Sequence, residues 1–273
     1  MKYWYMLGSM VLVFALVAGL VLGLGGGTKA ITNGEPDGDG HPYVGMVVFE
    51  DEGGPAWRCS GSLISPTVVV TCGHCTDGAY AARVWFDSDL TENTEYPLGG
   101  TTSVEGTPYT HPDFCIGCGQ GLPGFAYHDV GVVVLDEPVI MDEYAELPAV
   151  GLVDTLRVMT DVDLVGYGVQ WQEGTGIPPR SRWTGPRMRN FAPAKLVASK
   201  HVQSDEFIKI TLNPAQGKGG SCFGDNGGPS LLGGTNTILA VSSYVTNANC
   251  QGIGYSNRID TADVLEFING YLD

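Results

Sequence analysis

Two side chains capable of acid–base chemistry stand at marked places along the chain. His74 follows an apolar run in Val69-Val70-Thr71-Cys72-Gly73-His74-Cys75, and Asp129 directly precedes the apolar residues 130–135. A hydroxyl is a poor nucleophile until a neighbouring imidazole takes its proton, and a buried carboxylate fixes the tautomer of that imidazole. These residue types therefore predict nucleophilic attack on a carbonyl, provided that the fold brings them together.

A third segment, Cys222-Phe223-Gly224-Asp225-Asn226-Gly227-Gly228-Pro229, is a glycine-rich turn with Asn226 at its centre. A carboxamide nitrogen is not basic and is not readily deprotonated, so Asn226 would not form an acyl intermediate. Each segment also has a structural interpretation on its own. Asn-Gly turns are generic, a histidine beside a cysteine is often structural, and an aspartate commonly opens a strand.

Short apolar or alternating runs joined by turn signals predict the β-strands that must position these groups. The runs cover residues 43–49, 63–71, 82–86, 130–135, 161–165, 207–211 and 238–245. Residues 173–190 mix Gly, Pro and Arg without periodicity and predict an exposed loop.

Only the end of the chain is predicted to be helical. Asp260 or Thr261 can cap a helix with an apolar face at helical spacing, formed by Val264, Leu265, Ile268 and Leu272. Many short strands followed by one helix predict an all-β fold of barrels or a sandwich, and the pattern alone does not choose between them.

The charge composition disfavours polyanionic partners. Thirty acidic against 14 basic residues give a net charge of −16. Because no excess of Lys and Arg is present to neutralise phosphates, nucleic acid is disfavoured as a partner, and so are anionic membrane surfaces.

Residues 1–30 are predicted to be a targeting segment. Lys2 precedes an apolar stretch, and Thr28 and Ala30 fit the small residues that signal peptidase requires. An uncleaved anchor is the alternative, because roughly 20 apolar residues can span a bilayer. We expect a secreted protein that meets a membrane only if this segment is retained. In an oxidising compartment the seven cysteines predict up to three disulfides and one leftover thiol.

Taken together and in this order, the three motifs resemble those of the chymotrypsin/trypsin family of serine peptidases. The resemblance implies two antiparallel six-stranded β-barrels, here residues 31–150 and residues 151–273 with the terminal helix. The active site would lie in the cleft between the barrels and hold a peptide or protein ligand. It further implies a monomer that needs no cofactor and no metal.

By the same resemblance, His74 is the general base, Asp129 orients it, and the N–H groups of Gly224 and Asn226 form the oxyanion hole. The family carries a serine nucleophile where this chain has Asn226. We therefore predict an inactive or severely impaired peptidase. Two alternatives are a non-catalytic peptide- or inhibitor-binding homologue, and an otherwise functional peptidase with an isolated serine-to-asparagine change.

The resemblance also assigns residues beyond the triad. A chain cleaved before Ile31 would pair its new α-amino group with Asp225. Gly220, Ser221, Ser242 and Tyr244 would line the specificity pocket, with Ser243 in the same wall strand. Gly220 stands where an aspartate confers Lys or Arg specificity, so we expect a narrow apolar pocket.

The implied disulfides are Cys59–Cys75 and Cys222–Cys250, which leaves Cys72, Cys115 and Cys118. Cys115 and Cys118 are expected to be stapled to each other or to Cys72. Two Cys-x-x-Cys pairs also have zinc-type spacing, but the oxidising compartment and the implied Cys59–Cys75 bridge argue against a four-thiolate site.

Overall fold

The computed structural model describes residues 31, 34–118, 126–169, 171–173, 182–184, 187–198, 205–212, 220–247 and 250–272. The predicted targeting segment, residues 1–30, lies outside the described residues. The first strands and helices are β1 (Glu35–Pro36), β2 (Val44–Asp51), β3 (Gly54–Ser65), β4 (Val68–Thr71), α1 (Gly73–Thr76), β5 (Ala81–Trp85), β6 (Ser103–Thr110), β7 (Cys115–Ile116), β8 (Ala126–Tyr127) and β9 (Gly131–Leu135). They are followed by α2 (Leu152–Thr155), β10 (Asp161–Gly166), β11 (Trp171–Glu173), β12 (Arg182–Thr184), β13 (Asn190–Ala198), β14 (Phe207–Leu212), β15 (Pro229–Leu232), β16 (Ile238–Val245), β17 (Gly252–Arg258) and α3 (Ala262–Asn269).

The first barrel closes in the strand order β2-β3-β4-β9-β6-β5, with every pairing antiparallel. Strand β4 is buried along its whole length because its Val-rich sequence packs on both faces. It pairs with β9, and Val69 stands opposite Val133. This pairing brings the end of β4, which leads to His74, beside the start of β9, which follows Asp129.

The second barrel follows the order β13-β10-β15-β16-β17-β14 and closes through the pairing of β13 with β14. Strand β1 adds to its outside along β13. The prediction of two antiparallel six-stranded barrels is therefore confirmed. The predicted boundary near residue 150 falls between β9 and β10 and stays a prediction.

Helix α3 begins after Thr261 as its N-cap and buries Val264, Leu265 and Ile268, three of the four predicted apolar residues. Val264 and Ile268 join the hydrophobic cluster that includes the first barrel, although the helix follows the last strand of the second. Among the described residues, the model contains no helix with the length and apolar character needed to cross a membrane.

Candidate active site

The imidazole of His74 is bonded to the carboxylate of Asp129. His74 Nδ1 lies 2.8 Å from Asp129 Oδ2, and the backbone N–H of His74 donates to Oδ1 at 2.7 Å. The Asp129 side chain is fully buried, whereas 26% of the His74 side chain is exposed. A buried carboxylate at Nδ1 holds the ring so that Nε2 is available for proton transfer. The structure thus brings together the base and the orienting acid that the sequence identified.

A residue of the second barrel also supports Asp129. The hydroxyl of Ser243 donates to Asp129 Oδ2 at 2.5 Å. Ser242 faces Ser256 and Tyr244 faces Tyr255, so Ser243 is the extra residue of a β-bulge in β16. A bulge turns a side chain out of the normal alternation of a strand, which explains why the sequence indicated a pocket wall and missed this hydrogen bond.

The loop that carries His74 is fixed on several sides. A disulfide joins Cys59 of β3 to Cys75, and the indole Nε1 of Trp57 donates to the Cys75 carbonyl at 2.8 Å. A side chain at Gly73 would come within 2.8 Å of Phe114 and 3.1 Å of the Val130 backbone nitrogen, so only glycine fits there. These contacts fix the position of the short helix α1 and therefore the position of His74.

The nucleophile loop is held by its backbone between the two barrels. Ser60 of β3 donates its N–H to the Asn226 carbonyl at 2.8 Å and its hydroxyl to the Gly224 carbonyl at 3.0 Å. On the other side, Gly227 N–H donates to the Ser242 carbonyl of β16 at 2.7 Å. Gly227 has a φ of 78°, and a side chain there would collide with Thr71 Oγ1. The loop conformation therefore does not depend on the side chain at position 226.

Two backbone donors of this loop are free to bind an anion. Gly224, with a φ of 93°, and Asn226 donate their N–H groups to no residue within the described part of the chain. Adjacent unpaired N–H groups stabilise negative charge that develops on a carbonyl oxygen. The family resemblance assigns these two N–H groups to an oxyanion hole, and that assignment stays a prediction.

Cys72 is buried next to the base. Its sulfur lies 3.6 Å from His74 Nε2, the nitrogen that would receive the proton of a nucleophile. Burial opposes the charged form of His74, but the hydrogen bond and negative charge of the Asp129 carboxylate outweigh it and raise the pKa of His74. Burial also raises the pKa of the Cys72 thiol. The sequence left open whether Cys72 is bridged to Cys115 or Cys118 or is the leftover thiol, and no signal in it indicated this contact.

Asp225 is buried behind the nucleophile loop. Its carboxylate accepts backbone N–H groups from Gly168 at 2.7 Å and Cys222 at 2.9 Å. Burial raises the pKa of Asp225 to about 7, although these bonds and the charge of Arg58 act in the opposite direction. The side chain of Ile31 is buried in the core of the second barrel. The ion pair between Asp225 and a free Ile31 amine concerns a cleaved chain and stays a prediction.

Of the predicted pocket residues, Ser242 and Tyr244 lie on β16, and Gly220 and Ser221 directly precede the nucleophile loop. Gly220, Ser221 and Ser242 are buried, and the half-buried ring of Tyr244 stacks on Tyr255 at 4.7 Å. A side chain at Gly220 would meet Leu212 at 2.7 Å. Leu212, at the end of β14, is a neighbour of this site that the sequence did not indicate.

The structure pairs the remaining cysteines in two bridges. Cys222 is joined to Cys250, and Cys115 is joined to Cys118. Cys115 and Cys118 are thus bonded to each other and not to Cys72, which were the two pairings that the sequence allowed. Cys72 remains a free thiol.

Comparison with known proteins agrees with this geometry. The trypsin family model matches residues 31–268. Serine protease 1 of Drosophila melanogaster is 25% identical over 89% of this chain and 83% of its own length, and brachyurin of Leptuca pugilator is 28% identical over 84% of this chain and 89% of its own length. The solved structure of HL collagenase superposes with a TM-score of 0.66 at 18% identity and covers 90% of this chain and 96% of that one. With a family model that covers both barrels and all three motifs, the chain belongs to the trypsin family of serine peptidases.

Proposed function

We propose that the chain is a secreted trypsin-family homologue that binds a peptide or a peptidase inhibitor in the cleft between its barrels and has little or no peptidase activity. One observation carries the proposal: residue 226, at the nucleophile position of the family, is an asparagine. Loss of the nucleophile from such a triad costs on the order of 10⁶ in kcat, and the oxyanion hole and binding leave a residual ~10³–10⁴ over water.

Binding would use parts of the site that do not require a nucleophile. The N–H groups of Gly224 and Asn226, which have no acceptor among the described residues, can donate to a ligand carbonyl, and strand β16 lies beside them through the Gly227–Ser242 hydrogen bond. The closely packed Gly220 and the half-buried Tyr244 support a narrow apolar pocket for small side chains.

A second candidate function is favoured by the intact base. The His74–Asp129 bond and the Ser243 hydroxyl are the supports that an active serine peptidase needs. A functional peptidase scaffold that carries one serine-to-asparagine change would have this same geometry, so only chemistry at position 226 separates it from a scaffold that has diverged into a binder.

The test uses two measurements on the natural chain. A fluorophosphonate probe should not label the protein, because Asn226 offers no hydroxyl to phosphonylate. Fluorescence anisotropy with a library of labelled peptides should nevertheless detect saturable binding. Asn226→Ala is the matched control, since it removes the amide and adds no nucleophile, and we expect it to bind and to remain unlabelled. Labelling of the natural chain that survives Asn226→Ala, or the absence of any peptide binding, would contradict the proposal.

A further inference from the structure

The one free thiol of the chain lies in the candidate active site. Disulfides join six of the seven cysteines, and Cys72 is left unbridged. Its sulfur is 3.6 Å from His74 Nε2, and one ligand atom each of Cys72, His74 and Asp129 lies within 4.8 Å of the other two. Because the Asp129 carboxylate is already bonded to Nδ1, the sulfur and Nε2 are the two atoms that can share one ion.

The spacing of these two atoms fits a tetrahedral metal ion. Zinc binds a thiolate sulfur at about 2.3 Å and an imidazole nitrogen at about 2.1 Å. Two such ligands at the tetrahedral angle lie about 3.6 Å apart. The same distance separates Cys72 Sγ from His74 Nε2, so their separation need not change when both bind one ion.

Asp129 prepares Nε2 for this role. A metal-binding imidazole usually donates its other N–H to a carboxylate, which fixes the tautomer and makes the ligating nitrogen more basic. Asp129 Oδ2 lies 2.8 Å from His74 Nδ1, and the hydroxyl of Ser243 donates to the same oxygen. The base and orienting acid of the peptidase site therefore also have the arrangement of a carboxylate–histidine–metal site.

The charges of the site favour a divalent cation. Burial raises the pKa of the Cys72 thiol, which therefore keeps its proton when no metal is bound. A bound cation displaces this proton into the solvent, together with any proton on His74 Nε2, because a coordinated thiol is deprotonated. The Cys72 thiolate and the buried Asp129 carboxylate then carry two negative charges, which a divalent ion neutralises.

We propose that Cys72 Sγ and His74 Nε2 bind one thiophilic divalent cation such as Zn²⁺, with the Asp129 carboxylate behind the imidazole. A thiolate and an imidazole together select such ions over Ca²⁺ and Mg²⁺, which prefer oxygen ligands. The ion approaches from the imidazole side, because 26% of the His74 side chain is exposed and the sulfur is buried. Metal binding occupies the nitrogen that a peptidase uses as its base, so the two uses of His74 exclude each other.

Cobalt(II) tests this site, because it substitutes for zinc and its bond to a thiolate absorbs in the near ultraviolet. All seven cysteines lie in the described ranges and Cys72 is the free one, so a thiolate–cobalt band identifies that residue. The unfolded natural chain should first titrate one thiol per molecule. Cobalt should then produce a band that saturates at one ion per folded chain, and an equal concentration of zinc should abolish it.

Variants separate the two ligands from other sites. Cys72→Ala should remove the band, and Asp129→Asn should weaken cobalt binding by about 10–100-fold. His74→Gln should weaken it more than Asp129→Asn does, because it removes a ligand. His128→Asn is the matched control: it removes another partly exposed histidine, which is paired with Asp263, and should leave the band and the affinity unchanged.

The absence of a thiolate band, or of a free thiol in the unfolded chain, would overturn the proposal. A band of unchanged affinity in His74→Gln would show that the sulfur binds the ion without the imidazole, and an equal loss in His128→Asn would place the ion elsewhere. Either result would also overturn it. The inference goes beyond the proposed function and needs no peptide in the cleft, so the failure of one is distinct from the failure of the other.

Discussion

The two sides of the candidate active site differ in whether a reactive side chain is present beside its supporting residues. On the histidine side, reactive groups and supports are both present: the Asp129 carboxylate accepts the His74 N–H groups and the Ser243 hydroxyl. On the nucleophile side the supports are present, because Ser60 and Ser242 hold the loop backbone, but residue 226 cannot attack a carbonyl.

This difference shows that the conformation of the nucleophile loop and the reactivity of residue 226 depend on different groups. Asn226 is tied to β3 through its backbone carbonyl, and the glycine at position 227 fits a crowded contact with Thr71. Neither interaction uses the side chain at position 226. A change of the side chain at position 226 would leave these contacts in place, whereas loss of Asp129 would remove the hydrogen bonds to His74 and Ser243.

The largest expected effect tests whether the histidine side is still functional. In an Asn226→Ser background, Asp129→Asn should lower kcat by about 10⁴-fold, because the amide no longer fixes the His74 tautomer or stabilises its charged form. Asp136→Asn, at the exposed other end of β9, is the control and should leave kcat unchanged. Peptidase kinetics of the three proteins provide the measurement, and equal kcat values would show that Asp129 does not act through His74.

The next effect concerns the buried acid behind the loop. The folded chain holds the Asp225 pKa at about 7 against an ordinary value of 3.8, so between these pH values the folded state keeps a proton that the unfolded state loses. The free energy of unfolding should therefore fall as pH rises, by about 1.4 kcal/mol per pH unit and on the order of 4 kcal/mol in all.

A chain cleaved before Ile31 should lose this pH dependence, since the new amine would keep Asp225 charged in the folded state. Denaturant unfolding from pH 4 to 7 of the uncleaved and cleaved chains measures it, with Asp225→Asn as a control that should give the same pH dependence in both. The same slope in both chains would exclude the ion pair. Amino-terminal sequencing of the secreted protein should begin at Ile31.

A smaller effect compares two disulfides. The Cys59–Cys75 bridge closes 16 residues around the histidine loop, and Cys115–Cys118 closes only three. Replacing Cys59 and Cys75 by Ala should lower the free energy of unfolding by about 3 kcal/mol in the chain-entropy account, and the Cys115/Cys118 pair should cost less. Chemical denaturation of both double variants tests this, and equal losses would show that the bridge gives the histidine loop no special stability.

The smallest expected effect concerns the contact between Cys72 and His74. The Cys72 sulfur contacts His74 Nε2, where the proton of a restored serine would have to go. In the Asn226→Ser background, Cys72→Ala should raise kcat several-fold in peptidase kinetics, because it removes a sulfur that competes with the serine hydroxyl for Nε2. Cys72→Ser retains a polar hydrogen at the same place and should give less gain. An unchanged kcat would show that the contact does not affect the base.

Much of this architecture was predictable because it depends on local patterns and on motifs. The valine runs predicted strands at β4 and β9, and the family resemblance carried by the three motifs predicted that His74, Asp129 and the nucleophile loop would meet. Detail was lost where the chain breaks a simple pattern. The run 63–71 divides into β3 and β4, and the predicted loop 173–190 contains β12.

The parts of the site that the sequence missed depend on where individual side chains point, which residue patterns do not specify. Ser243 reaches Asp129 only because a bulge in β16 turns it, and bulges carry no residue signature of their own at this position. Leu212 meets Gly220 eight positions later in the chain, and Cys72 meets His74 through the bend between β4 and α1.

The most direct test of the account is a paired peptidase assay of the natural chain and its Asn226→Ser variant on a broad peptide library. We expect the serine variant to cleave peptides, with His74 as the base and Asp129 orienting it. The rate for the natural chain should be lower by several orders of magnitude. Cleavage by the natural chain at a comparable rate would contradict the claim that asparagine at position 226 leaves the chain without a nucleophile. Cleavage by neither would contradict the claim that the rest of the site is intact.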